Sequence, residues 1–232
     1  AHDGSVEVTA PTVALVTAVY GGYDAVRPAP PGFDDCVLIT DQRVHGSFRP
    51  RGWRVVVLPR PGTSPRLAAK MPKCRPDWFT ECESSVWVDG SFRILGDGLA
   101  RVAQEQLAGA PLVVAEHPYG RQCLYDEATF CALTVKSARE PVMDQAEHYL
   151  SSGMPRNWGL WALGLIARRH EDHVAELGHS WLRELEQWSD RDQISLPFLL
   201  WQRRWRPEVW PFPQLQNAYV RREGHRKQRD WG

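Results

Sequence analysis

Six short runs of apolar, largely β-branched residues recur along the chain, near 12–19, 36–40, 53–58, 85–89, 111–115 and 160–167. Unbroken apolar runs of this length predict strands covered on both faces, since a half-exposed strand would alternate apolar and polar positions. The first three follow one another so closely that little room is left for helices between them. Helical spacing marks 65–73, 98–107, most of 122–152 with a break at Pro141, 172–188 and 191–201. Ser189 or Asp190 is placed to cap the last of these. The proline-rich piece from Arg27 to Gly32 reads as a connector. No repeat or domain-splitting linker intervenes, so the pattern predicts a single α/β domain over 12–201, with a mostly parallel mixed sheet flanked by helices. A flexible N-terminal arm over 1–11 precedes it. A C-terminal tail over 202–232 follows, which lacks periodicity from Arg203 onward and reads as wrapping the surface or as disordered.

The polar residues that interrupt this pattern gather where the strands end. The run Ser84 to Val88 passes directly into Asp89-Gly90-Ser91, a carboxylate and a hydroxyl flanking a glycine, and such hard oxygens suit Mg²⁺ or Mn²⁺. A local turn bond from Asp89 to its own backbone is the competing use of that residue. Tyr20-Gly21-Gly22-Tyr23-Asp24 ends the first run, and its glycines could cradle a nucleotide, although the stretch is not G-x-G-x-x-G and no good helix follows. Asp41, His117 and His170 end the second, fifth and sixth. Before the Asp89 run, Arg66, Lys70 and Lys73 recur at spacings of four and three, which puts three cations on one helix face. They could hold a diphosphate whose metal sits on Asp89, or form a solvated basic face.

Composition narrows the partners. Lys plus Arg and Asp plus Glu both number 28, so nothing in the overall charge favours nucleic acid or an anionic membrane. The 11 Trp fall mostly in the second half, where core packing is their default use and sugar stacking the alternative. Cys36, Cys74, Cys82, Cys123 and Cys131 include no C-x-x-C pair and leave one cysteine over, which argues against a disulfide framework and a zinc ribbon. They read as reduced thiols of a cytoplasmic protein. No apolar run approaches a membrane span and no signal peptide pattern is visible, although a chain that opens on Ala1 leaves a removed leader open.

Several of these stretches together resemble a known family. They are Tyr20 to Asp24, Thr40-Asp41, Arg66 to Lys73, Trp87-Val88-Asp89-Gly90-Ser91, His117-Pro118 with Arg121 to Ala128, Trp158-Gly159-Leu160-Trp161, Arg168-Arg169-His170, and Trp188 to Pro197. The chain is similar over them to the glycosyltransferase-like family catalogued as domain of unknown function 616. The resemblance implies a GT-A-type nucleotide-binding domain that moves a sugar from a nucleotide-diphosphate donor to an acceptor hydroxyl with Mn²⁺ or Mg²⁺. It implies that Asp89 is the first acid of the metal-binding element, with Ser91 where a second acid would stand and His170 as a late histidine on the metal or the diphosphate. Tyr20, Gly21, Asp41, Arg66, Lys70 and Lys73 would face the donor. His117 and Arg121 would face the acceptor, and Glu127 would join them or pair with a cation. Asp192 looks like the acid facing the transferred sugar or the acceptor hydroxyl, while its place at a helix start offers the plainer role of a cap. Asp190 and Glu127 are the next candidates.

Other readings stay open. A nucleotidyltransferase would need the same nucleotide and metal but release pyrophosphate. A catalytically inactive sugar- or nucleotide-binding protein could keep the fold and lack the second acid. His170 and His173 could share a zinc ion, although neither a third ligand nor H-E-x-x-H spacing accompanies them.

Overall fold

The computed structural model describes residues 11–43, 50–134 and 141–225. Nearly all of the expected N-terminal arm, and the last seven residues of the tail, lie outside the described residues. All six predicted strands form: Val13–Val19 (β1), Asp35–Thr40 (β2), Arg54–Val57 (β3), Ser84–Val88 (β4), Leu112–Glu116 (β6) and Trp161–Arg169 (β7). Three short strands carry no such pattern: Phe92–Ile94 (β5), Glu208–Val209 (β8) and Val220–Arg222 (β9).

Seven strands make one sheet in the order β3-β2-β1-β4-β7-β6-β8. Every neighbouring pair is parallel except those involving β7, which runs against β4 on one side and β6 on the other. The result is an α/β domain with a mostly parallel mixed sheet, the GT-A-like architecture expected. Six strands therefore direct their C-terminal ends to one edge of the sheet, and β7 directs its own to the opposite edge.

Alternate residues of each strand feed opposite cores, as the two-residue period requires. Ala14, Val16 and Ala18 pack on one face with Trp181, Leu185 and Leu199, while Val13 and Leu15 pack on the other with Leu99, Ala103 and Leu107. The helices on the first face are Lys70–Cys74 (α2), Asp172–Gln187 (α6) and Asp192–Gln202 (α7); Gly98–Gly109 (α3) covers the second. Leu124–Ala132 (α4) and Val142–Ser151 (α5) close a third cluster against Ile194 and Phe198 of α7. The predicted helix over 65–73 is divided into Pro65–Ala68 (α1) and α2. Pro72 has no N–H to give the Ala68 carbonyl, so the ladder breaks there.

No helix joins β1 to β2; the proline-rich strap crosses instead, held by Ala29 N–H to the Arg51 carbonyl at 2.8 Å and by Trp53 Nε1 to the Arg27 carbonyl at 2.7 Å. Past Arg203 the chain does more than trail over the surface. β8 pairs with β6, and Trp210 is buried with its indole N–H on the Leu165 carbonyl at 3.2 Å. β9 then pairs with β5, and Glu223 N–H donates to the Ser91 carbonyl at 2.9 Å, which returns the chain to the turn after β4. All five cysteines are free. Among the described residues, no helix is long and apolar enough to cross a membrane.

Candidate functional site

The ends of β1 and β4 lie side by side, joined by the Thr17 hydroxyl donating to the Val88 carbonyl at 2.7 Å. The chain turns immediately: Asp89 N–H donates to the Gly164 carbonyl at 2.9 Å, and the Asp89 carbonyl accepts from Phe92 N–H at 3.0 Å. Gly90 is required here, because a Cβ on it would stand 2.8 Å from Asp24 Oδ2. Gly164 is confined likewise, with a Cβ position 2.7 Å from the Phe92 ring and 3.3 Å from Asp89 Oδ2. Packing on both sides thus fixes where the Asp89 carboxylate stands.

The three cations of 65–73 converge on three carboxylates. Lys73 Nζ donates to Asp192 Oδ2 at 2.6 Å and to Asp89 Oδ1 at 3.1 Å, and Lys70 Nζ donates to Asp192 Oδ2 at 2.7 Å. Trp87 Nε1 adds a second donor to Asp89 Oδ1 at 2.6 Å. Arg66 Nε lies 2.8 Å from both oxygens of Asp190. The Lys73 side chain is 2 % exposed while that of Asp89 is 38 % exposed, so an open carboxylate is backed by a buried ammonium. Burial alone would push the Asp192 carboxyl up, but the Lys70 and Lys73 ammoniums beside it outweigh that and hold it well below the usual carboxylate range. Burial would lower Lys73 in the same way, and Asp192 and Asp89 reverse the sign, so its ammonium is held above the ordinary lysine range. Asp192 is also the first residue of α7, where its Oδ1 accepts from Gln193 N–H at 3.1 Å. It is a helix-start residue and the anchor of two lysines at once.

Beside this cluster opens a cavity of about 490 Å³, lined among others by Tyr20, Arg66, Lys70, Lys73, Asp89 and Arg191. Among the described residues the buried Tyr20 hydroxyl has no hydrogen-bond partner, and burial pushes it up to about 12. Gly21 N–H points at both oxygens of Asp41, at 3.1 and 3.0 Å, so Asp41 pins the glycine turn that carries Tyr20. His225 and Asp24 line the same cavity, 3.1 Å apart. Neither was among the sequence candidates: Asp24 sat inside a noted motif without a role, and His225 stands in the stretch that lacks any pattern. A second cavity of about 340 Å³ beneath the proline strap shares Val19, Asp89 and Gly90 with the first.

The other expected site residues lie elsewhere. His170 follows β7, whose reversed direction carries it to the opposite edge of the sheet. Its N–H donates to the Glu83 carbonyl, and its ring nitrogens meet the Cys82 carbonyl at 2.7 Å and Ser85 Oγ at 2.9 Å. Its ring meets Ser85, four residues before Asp89 along the strand, so His170 stands on the order of 13 Å from the Asp89 end. It is neither a metal ligand beside Asp89 nor a catalytic group there, and it is paired with backbone and a serine instead. His173 faces Glu171 at 3.5 Å. His117, Arg121 and Glu127 do stand at the same edge as Asp89, but two strands away, on the order of 10 Å or more. Arg121 Nε donates to Glu127 Oε2 at 2.7 Å and His117 Nε2 is 3.6 Å from it, so Glu127 pairs with cations. Burial lowers His117, and its Nδ1 has no partner among the described residues. Arg121 lies over the rings of Tyr119 and Phe130.

The residues at Asp89 do not fit a divalent cation. Asp89 Oδ1 is shared by two donors, Ser91 is buried and lines neither cavity, and Asp192 faces two ammoniums. Among the described residues, no three of His, Cys, Asp and Glu are grouped to hold a metal ion.

The family model described as TOD1/MUCI70, glycosyltransferase-like domain, matches residues 41–213, most of the 232-residue chain. The matched span starts at Asp41 and contains α1, α2, β4 and α7, hence every member of the lysine and carboxylate cluster. Comparison with curated proteins gives no match.

Proposed function

The chain belongs to the TOD1/MUCI70 glycosyltransferase-like family, and from this premise we propose that it transfers a sugar from a nucleotide-diphosphate donor bound in the cavity beside Lys73. The observation that carries this reading is the pair of lysines lining that cavity, locked by Asp192 and Asp89. In such a transfer the bond from the sugar to the diphosphate breaks, and negative charge grows on the departing phosphate. Ammoniums already fixed in place meet that charge without reorganising, which is how an electrostatic site lowers a barrier. Arg66 and Arg191 extend the positive lining, and the Tyr20 hydroxyl offers a further donor at the β1 end of the cavity.

Within this reading Asp192 positions the lysines. A carboxylate held that far below its usual range is a weak base, since an effective one sits near the working pH. The acceptor side falls to the His117, Arg121 and Glu127 cluster at the same sheet edge, with Tyr119 exposed beside it.

The test is product analysis with a panel of nucleotide sugars and simple saccharide acceptors. The reading expects a nucleoside diphosphate to appear together with a glycosylated product. Pyrophosphate as the product would indicate nucleotidyl transfer, and binding with no product from any donor would leave a sugar- or nucleotide-binding protein.

A further inference from the structure

We propose that the diphosphate is received without a divalent cation, by the Lys73 ammonium clamped between Asp89 and Asp192 and seconded by Lys70. This rests on the reading that the cavity takes a nucleotide diphosphate, and it names what meets the phosphates there. The case begins from the space a metal would need. A divalent cation bound through Asp89 takes oxygen ligands at about 2.0–2.6 Å. Lys73 Nζ is already 3.1 Å from Asp89 Oδ1, so an ion there would be crowded by a fixed positive charge. Lys73 cannot easily retreat, being buried in α2 with its Nζ also 2.6 Å from Asp192 and 5.7 Å from the Trp87 ring centre. The position that would hold a second acid is Ser91, which is buried away from both cavities.

The same geometry equips the lysine for the task. An ammonium has three protons; two are spent on Asp192 and Asp89, and the cavity that Lys73 lines is where a phosphate oxygen would take the third. Lys70 shares Asp192 and lines the cavity as well. The two lysines and two carboxylates balance in charge, so the cluster is stable when empty. An arriving phosphate gains a charged donor whose orientation is already set.

The experiment is calorimetric titration of the full chain with UDP, GDP, ADP and CDP, once in EDTA and once in Mn²⁺, alongside melting of the wild type with Mn²⁺ alone. The proposal expects at least one diphosphate to bind in EDTA with an affinity within about threefold of that in Mn²⁺, and no rise in melting temperature from Mn²⁺. In Lys73→Gln, affinity in EDTA should fall by at least about tenfold, and Mn²⁺ should now raise the melting temperature, because Asp89 loses its ammonium and Asp192 keeps only that of Lys70. Diphosphate binding by the wild type only in Mn²⁺ would overturn the proposal and leave the donor reading standing. So would a folded Lys73→Gln that keeps its affinity in EDTA. Should Lys73→Gln fail to fold, the wild-type arms decide alone. Absence of diphosphate binding in both conditions would remove the donor reading, and this proposal with it.

Discussion

Lys73 and Arg168 are about equally hidden, 2 % and 4 % exposed, and both lie against Cys74, yet the protein treats them in opposite ways. Lys73 is surrounded by carboxylates and is held above its ordinary range. Among the described residues Arg168 meets one oxygen, the Cys74 carbonyl at 3.2 Å, and the face of Trp181, and its Nε and Nη2 have no partner; burial brings it down to about 10. One cation lines a cavity at the edge where six strands end, whereas the other is packed near the opposite edge, where β7 ends beside Glu83. Burial of a charge therefore does not mark a site in this molecule. Pairing with carboxylates fixed by rigid strands, next to open space, is what separates a binding group from a structural one.

The largest expected effect comes from breaking the clamp on its acidic side. Asp192→Asn leaves Lys70 without its carboxylate and Lys73 with Asp89 alone, and removing one partner of a buried ion pair costs about 3–5 kcal/mol. Urea denaturation should show that loss; an unchanged midpoint would mean the lysines swing to solvent and the clamp is loose. Arg168→Met is the matching change at the other edge. It removes a desolvated cation and its unpartnered N–H groups, and such replacements are often neutral or stabilising by about 1–4 kcal/mol. Stability equal to or above the wild type is expected, with diphosphate affinity unchanged. A marked fall in that affinity would show that the two edges are coupled.

Acid gives a smaller and graded test. The Asp192 carboxyl is depressed in the folded state, so the unfolded chain takes up its proton first as pH falls. Its stabilisation is present above the unfolded value of about 4 and is lost below it. Lys73 is raised when folded, so its contribution is present below the unfolded value of about 10.4 and is lost as pH climbs past it toward the folded value. Denaturation midpoints should form a plateau between those limits. The acid limb should flatten in Asp192→Asn, and a limb of unchanged slope would place the titrating carboxylates elsewhere.

The sheet was legible because its six longer strands are apolar runs, and such runs state burial on both faces; β3, at the sheet's edge, departs from that, with Arg54 and Val57 exposed. β5, β8 and β9 have three, two and three residues, too few to carry a period, and they exist because longer strands offer them an edge. Strand direction left no trace either. The run from Leu160 to Ala167 reads the same whichever way it points, and its reversal as β7 took His170 away from Asp89. The cations at 66, 70 and 73 and the acids at 89, 190 and 192 were each visible, but nothing local ties Lys70 to a carboxylate 122 residues away. That pairing turned a supposed catalytic acid into the anchor of two ammoniums, and Lys73 on Asp89 Oδ1 did the same to the supposed metal acid. His225 reaches the cavity only because β9 returns the tail to β5, a route that no sequence period foretells.

The central claim is that the Lys70 and Lys73 edge senses phosphate, and titrating the Lys70→Gln/Lys73→Gln double variant tests it most directly. Each nucleoside diphosphate is compared with its bare nucleoside on the wild type and on the double variant, with Arg168→Met as the control. Charged hydrogen bonds contribute about 1.5–3 kcal/mol each, so the wild type and Arg168→Met should prefer the diphosphate strongly, and the folded double variant should lose most of that preference while holding the nucleoside as before. Equal losses for diphosphate and nucleoside, or a preference that survives in the double variant, would contradict it.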